Sequence, residues 1–167
     1  MLVVVSGLPG SGKSALADGI GLALRAPVLS VDPIESAILR AGVPRSFETG
    51  LAAYLVAEAG ADGFLAAGLD AVVDSVSSVA PARDLWRGLA ARHGTALRVI
   101  VCALDPVVAQ GRIAGRTRDL VLPEPTWEDL RARAGEWTPW PEPHLVLDSL
   151  QPPGANLDRA LAWLAAG

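Results

Sequence analysis

Gly7-Leu8-Pro9-Gly10-Ser11-Gly12-Lys13-Ser14 is the stretch that decides the fold. It fits G-x-x-x-x-G-K-[ST] at every constrained position, and it lies between the apolar run Leu2–Ser6 and a helical pattern, the context the motif requires. The glycines let the backbone turn its amides inward around phosphate oxygens, and the following helix adds the positive end of its dipole. Gly7, Pro9, Gly10, Ser11, Gly12, Lys13 and Ser14 therefore read as a nucleotide cradle, with Lys13 reaching the β and γ phosphates and the Ser14 hydroxyl ligating Mg2+. A ligand-free glycine-rich turn would not need all the constrained positions at once.

Outward from this loop, short apolar runs alternate with helical patterns. Leu2–Ser6, Val28–Val31, Asp70–Asp74, Leu97–Cys102 and His144–Leu147 read as five strands of a parallel sheet buried on both faces. The first helix is expected to bury Leu16, Ile20, Ala23 and Leu24, and a later one carries Phe47, Leu51, Tyr54 and Leu55 at helical spacing. A further helix begins at Pro81, with Leu85 and Leu89 inward, and stops at His93-Gly94. Asp105-Pro106 and Thr126 read as helix starts, and Leu157, Ala160, Leu161 and Leu164 place a last helix on the core. Strand and helix alternation implies a doubly wound α/β domain over 1–167, with ligand at the carboxyl ends of the strands.

Composition narrows the partners. The 167 residues carry 14 basic and 18 acidic side chains, a net charge of -4, so no global positive field gathers nucleic acid or anionic membrane. Thirteen of the basic residues are arginine, and Lys13 is the one lysine. A single cysteine, Cys102, excludes an internal disulfide, and His93 and His144 form no zinc spacing. With no signal-peptide pattern and no membrane-length apolar run, a cytoplasmic location is expected.

Asp32, at the end of the second strand, would stand at the same rim of the sheet as the loop. It reads either as the general base that orients an acceptor hydroxyl or as an N-cap for the helix behind it, with Glu35 completing a capping box. Asp74 ends the third strand in the form of a magnesium-linked aspartate, or as an ordinary strand end. Ser75 and Tyr54 are candidate acceptor contacts, whereas Arg40 and Arg45 read as a solvated face. Arg112, Arg116 and Arg118 cluster in a lid segment at about 111–125, where a guanidinium fork can hold phosphate oxygens; a charged helix end is the alternative.

The cradle, together with Pro125-Thr126-Trp127-Glu128 and Glu136-Trp137-Thr138-Pro139-Trp140, makes the chain resemble the small P-loop kinases that include chloramphenicol phosphotransferase, zeta toxin, gluconate kinase and polynucleotide kinase. The likeness is to the compact zeta-toxin-like group. It implies a three-layer fold with strand order 2-3-1-4-5, an aspartate facing the acceptor at the second strand (Asp32), and an arginine lid (Arg112, Arg116, Arg118) over the nucleotide. It also implies a purine held near Asp148–Pro152. The expected chemistry is transfer of a γ phosphate from ATP, or GTP, with Mg2+, to a hydroxyl of a sugar, nucleotide sugar or antibiotic. A polynucleotide 5'-hydroxyl acceptor fits the acidic charge poorly, and a nucleotide-dependent switch without an acceptor would leave Asp32 as a cap only.

Overall fold

The structure is a computed structural model that describes residues 1–117 and 119–166. Five parallel strands, β1 (Leu2–Gly7), β2 (Val28–Ser30), β3 (Ala71–Ser75), β4 (Leu97–Ala103) and β5 (His144–Asp148), form one sheet in the order β2-β3-β1-β4-β5. This is the expected order, and each strand lies within about a residue of its sequence-predicted span.

The β1 sequence explains the layers. Leu2, Val3, Val4 and Val5 are all fully buried, and alternate residues serve opposite faces. Leu2 and Val4 join Val73, Val99 and Val101 beneath α2 (Val31–Arg40), α3 (Phe47–Ala66) and α4 (Ala80–Arg92). Val3 and Val5 join Val72, Ile100 and Leu147 beneath α1 (Lys13–Leu24) and α7 (Pro153–Ala165). Cys102 sits in this second layer, where burial pushes its thiol up to about 12, so it is an inert core group. The remaining helices, α5 (Pro106–Ala114) and α6 (Trp127–Gly135), stand at the carboxyl end of the sheet.

Two expected helix faces are corrected. On α1 the buried set is Leu16, Ala17, Ile20 and Gly21, and Ala23 is exposed. On α3 the buried stripe is Ala53, Ala57, Ala61 and Leu65. Residues two apart on a helix differ by about 200°, so Phe47, Leu51 and Leu55 fall on the opposite face, and Phe47 is 80% exposed. Small alanines let α3 lie close to the sheet, which a row of large side chains would prevent.

Candidate active site

The cradle is built by close packing. At Gly10, φ is +83° and a Cβ would stand 2.9 Å from the Ala109 carbonyl oxygen of α5, so only glycine fits both the turn and the neighbour. Gly12, with φ of +82°, forms the N-cap position of α1, and nothing lies within 4 Å of where its Cβ would be. That open space in front of the first turn of α1 is where an anion meets the free amides. Lys13 is only 6% exposed and its charge acts on Asp74. Ser11 is buried with its hydroxyl unpartnered among the described residues.

Parallel pairing brings the carboxylates to the same rim. Asp74 lies opposite Val5 of β1 and Ser30 of β2. Burial pushes its carboxyl above the ordinary range, Lys13 and hydrogen bonds with the Ser14 and Ser30 side chains pull it down, and Asp32 pushes it up again. Its Oδ1 is buried without a hydrogen-bond partner among the described residues. A carboxylate oxygen left open beside the Ser14 hydroxyl fits a magnesium ion that takes one or two protein ligands and completes its shell with phosphate and water. Among the described residues no group of three or more His, Cys, Asp or Glu forms an all-protein metal cage.

Asp32 is not an N-cap. The helix begins two residues earlier than an Asp32 cap would set it, Ser30 occupies the cap position without a side-chain bond, and Asp32 lies inside the first turn of α2. Glu35 is likewise no capping-box acid but a half-buried carboxyl whose pKa is raised by burial and by Asp32, while Arg45 and Arg133 lower it.

Tyr54 and Ser75, the expected acceptor contacts, both meet the loop residue Ser77. The Tyr54 hydroxyl accepts from the Ser77 amide at 3.2 Å, and the Ser75 hydroxyl is buried against that of Ser77 at 2.7 Å. Ser77 has φ of +46° and also accepts from Trp86 Nε1 at 3.0 Å. The organiser of this loop is Arg83, which sequence reasoning missed. Only 2% exposed, it donates to the carbonyls of Ser77 and Ser78 at 2.8 Å each, to Thr138 Oγ1 at 2.8 Å and to the Pro139 carbonyl at 3.0 Å. Its guanidinium lies 5.6 Å from the Trp137 ring centroid and 5.1 Å from that of Trp140. This accounts for the Trp137–Trp140 passage: it packs on a buried cation, with Trp140 in the core. Trp127 is half-buried at the start of α6.

The lid arginines separate. Arg112 lies on α5 and donates to the Gly10 carbonyl at 3.4 Å and the Ser149 carbonyl at 2.8 Å, tying the cradle to the loop after β5. The helix ends at Ala114, so Arg116 lies beyond it rather than on its face, and it pairs with Glu124. Arg118 lies outside the described residues. Downstream, the Val121 amide donates to the buried Ser36 hydroxyl of α2 at 2.9 Å, which seats the lid segment on the helix that carries Asp32. Thr126 starts a helix as expected, and Asp129 completes a capping box with it.

Among solved structures, a sugar kinase from Janibacter sp. HTCC2649 is similar, with 24% identity, TM-score 0.74, and coverage of 98% of this chain and 94% of that one. A gluconokinase from Sinorhizobium meliloti 1021 has 22% identity, TM-score 0.70, and coverage of 99% and 91%. A Mycobacterium tuberculosis APS kinase, solved with AMPPNP and APS, has 23% identity, TM-score 0.71, and coverage of 98% and 96%. At these identities the likeness is one of fold. No curated protein matches the sequence. The profile of a family described as an AAA domain matches residues 2–136, which takes in the cradle, Asp32, Asp74 and the lid, and the chain belongs to that family.

Proposed function

We propose that the protein is a magnesium-dependent small-molecule kinase that moves the γ phosphate of ATP, or GTP, to a hydroxyl group. The observation that carries this reading is the convergence of two carboxylates, Asp32 and Asp74, with Lys13 and Ser14 at one rim of the sheet. A nucleotide-binding switch needs only one of those carboxylates; a second, on the helix beside the first strand's loop, has an acceptor to orient.

In this mechanism the amides of the cradle and Lys13 bind the phosphates, and Ser14 and Asp74 would hold Mg2+, which would supply neutralisation of phosphate charge. Asp32 aligns the acceptor hydroxyl and takes its proton as the bond to phosphorus forms. Arg112 fixes the cradle and the purine loop. Arg116 exchanges Glu124 for phosphate oxygens as charge develops, with Arg118 as a further lid donor. Tyr54 and Ser75 shape the acceptor wall through Ser77. The resemblance to the zeta-toxin-like and chloramphenicol phosphotransferase group supports a sugar, nucleotide sugar or antibiotic as acceptor.

The test is ADP release with Mg-ATP across D-glucose, D-gluconate, UDP-N-acetylglucosamine and chloramphenicol. Asp32→Ala is expected to retain ATP affinity and lose at least about 100-fold in transfer, the usual worth of a general base. Unchanged transfer in that variant removes Asp32 as the base, and a chain that binds ATP but phosphorylates none of the panel counts against the kinase reading.

A further inference from the structure

Ser77 is one of two non-glycine residues with positive φ among the described residues. The other, Arg25, closes α1, and a left-handed residue is a common way for a helix to end. Ser77 ends no helix. It lies two residues past β3, in the loop to α4, and it is fully buried. A serine at φ of +46° is strained, and such a turn persists only where its surroundings over-determine it.

The surroundings of Ser77 meet that condition. Its amide donates to the Tyr54 hydroxyl of α3 at 3.2 Å, and its own hydroxyl meets that of Ser75 at 2.7 Å. The same hydroxyl accepts from Trp86 Nε1 of α4 at 3.0 Å, and the Ser77 carbonyl accepts from Arg83 Nε at 2.8 Å. The carbonyls on either side are held too, that of Val76 by the Ser6 hydroxyl of β1 at 2.7 Å and that of Ser78 by Arg83 Nη2 at 2.8 Å. A glycine would adopt this φ without strain but would bring no hydroxyl, so the serine is explained by the bonds that hold the turn.

The sheet gives the turn its place. β3 lies between β1 and β2, so its exit stands between the cradle, which leaves β1, and Asp32, two residues past β2. Ser6, which holds the Val76 carbonyl, is the residue before the cradle. An acceptor hydroxyl that joins Asp32 to the terminal phosphate therefore spans the exit of β3. The hydroxyls of Tyr54, Ser75 and Ser77 are committed to the turn itself. What this loop contributes to an acceptor is a fixed shape.

We propose that Ser77 is a positioning residue of the acceptor site: its left-handed turn, fixed by Tyr54, Ser75, Trp86 and Arg83, sets the floor on which the acceptor lies between the cradle and Asp32. The inference rests on the kinase reading, and its test separates the two.

The experiment is steady-state ADP release by the full chain with Mg-ATP and D-gluconate, D-glucose, UDP-N-acetylglucosamine or chloramphenicol. Ser77→Gly keeps the turn allowed and removes the hydroxyl that holds it, whereas Tyr54→Phe keeps the ring and removes the partner of the Ser77 amide. On the acceptor that the parent phosphorylates, Ser77→Gly is expected to raise the acceptor KM roughly tenfold or more, with the Mg-ATP KM changed by less than about twofold. Tyr54→Phe is expected to show the same split with a smaller rise, and it decides the matter if Ser77→Gly does not fold. A role in stability alone would reduce the amount of active protein and lower kcat with both KM values unchanged. That result, or a parallel rise in both KM values, overturns the positioning role and leaves the kinase reading standing. A parent that binds Mg-AMPPNP and phosphorylates none of the four removes the kinase reading, and the positioning role with it.

Discussion

Asp74 is a side chain whose burial carries a cost in stability. Its carboxyl holds a proton to higher pH than in the unfolded chain, mainly because burial penalises the charge. The folded state therefore binds more protons, and this contribution to stability is present below the ordinary value of 3.8 and lost as pH rises through the raised folded value. Asp74→Asn keeps the shape and cannot ionise. In thermal melts without metal, the variant should be at least as stable as the parent near neutral pH and show a flatter acid-side pH dependence. Its Mg2+-dependent nucleotide affinity should fall by roughly tenfold or more. A variant less stable than the parent at neutral pH would show that the ionised carboxylate is structurally required.

At the level of elements, the β3 to α4 loop and the Trp137–Trp140 passage are one unit because a single buried arginine donates to both. Arg83→Met would leave the carbonyls of Ser77, Ser78 and Pro139 without their donor, at a cost of about 3 kcal/mol, read as a shift in the urea midpoint of tryptophan fluorescence. Arg83→Lys should recover only part of that, since an ammonium lacks the planar fork. A midpoint unchanged by Arg83→Met would mean that water or the tryptophans satisfy the loop instead. Such elements also mark where sequence reading succeeds and fails. The strands and the Asp105 and Thr126 caps were legible because each is set by neighbours along the chain. The inward face of α3 was not, because apolar periodicity marks two faces there and packing distance to the sheet chose the alanines. Arg83 was invisible for a related reason: its partners lie up to 56 positions away, and an arginine on a helix ordinarily reads as solvated.

Across the whole molecule, five parallel strands ending together bring residues from distant parts of the chain to one rim, and the segment after α5 is tied to α2 through Ser36 and Val121. The fold was therefore readable from the first loop onward, while the acceptor side depends on tertiary contacts that local pattern does not encode. The cradle lysine has a practical consequence at this scale. Lys13 is the only lysine among 167 residues, so apart from the α-amino group the protein has a single amine, and it lies in the cradle. Acylation by an amine-directed reagent at mild pH should thus report on site occupancy without engineering. Mass spectrometry is expected to show slow labelling of Lys13 in the free protein, because it is 6% exposed, and still slower labelling with Mg-AMPPNP present. Equal labelling in both conditions would place the nucleotide elsewhere. By the same count, a lysine-directed protease has one place to cut, between Lys13 and Ser14, so cleavage there measures how often the cradle opens.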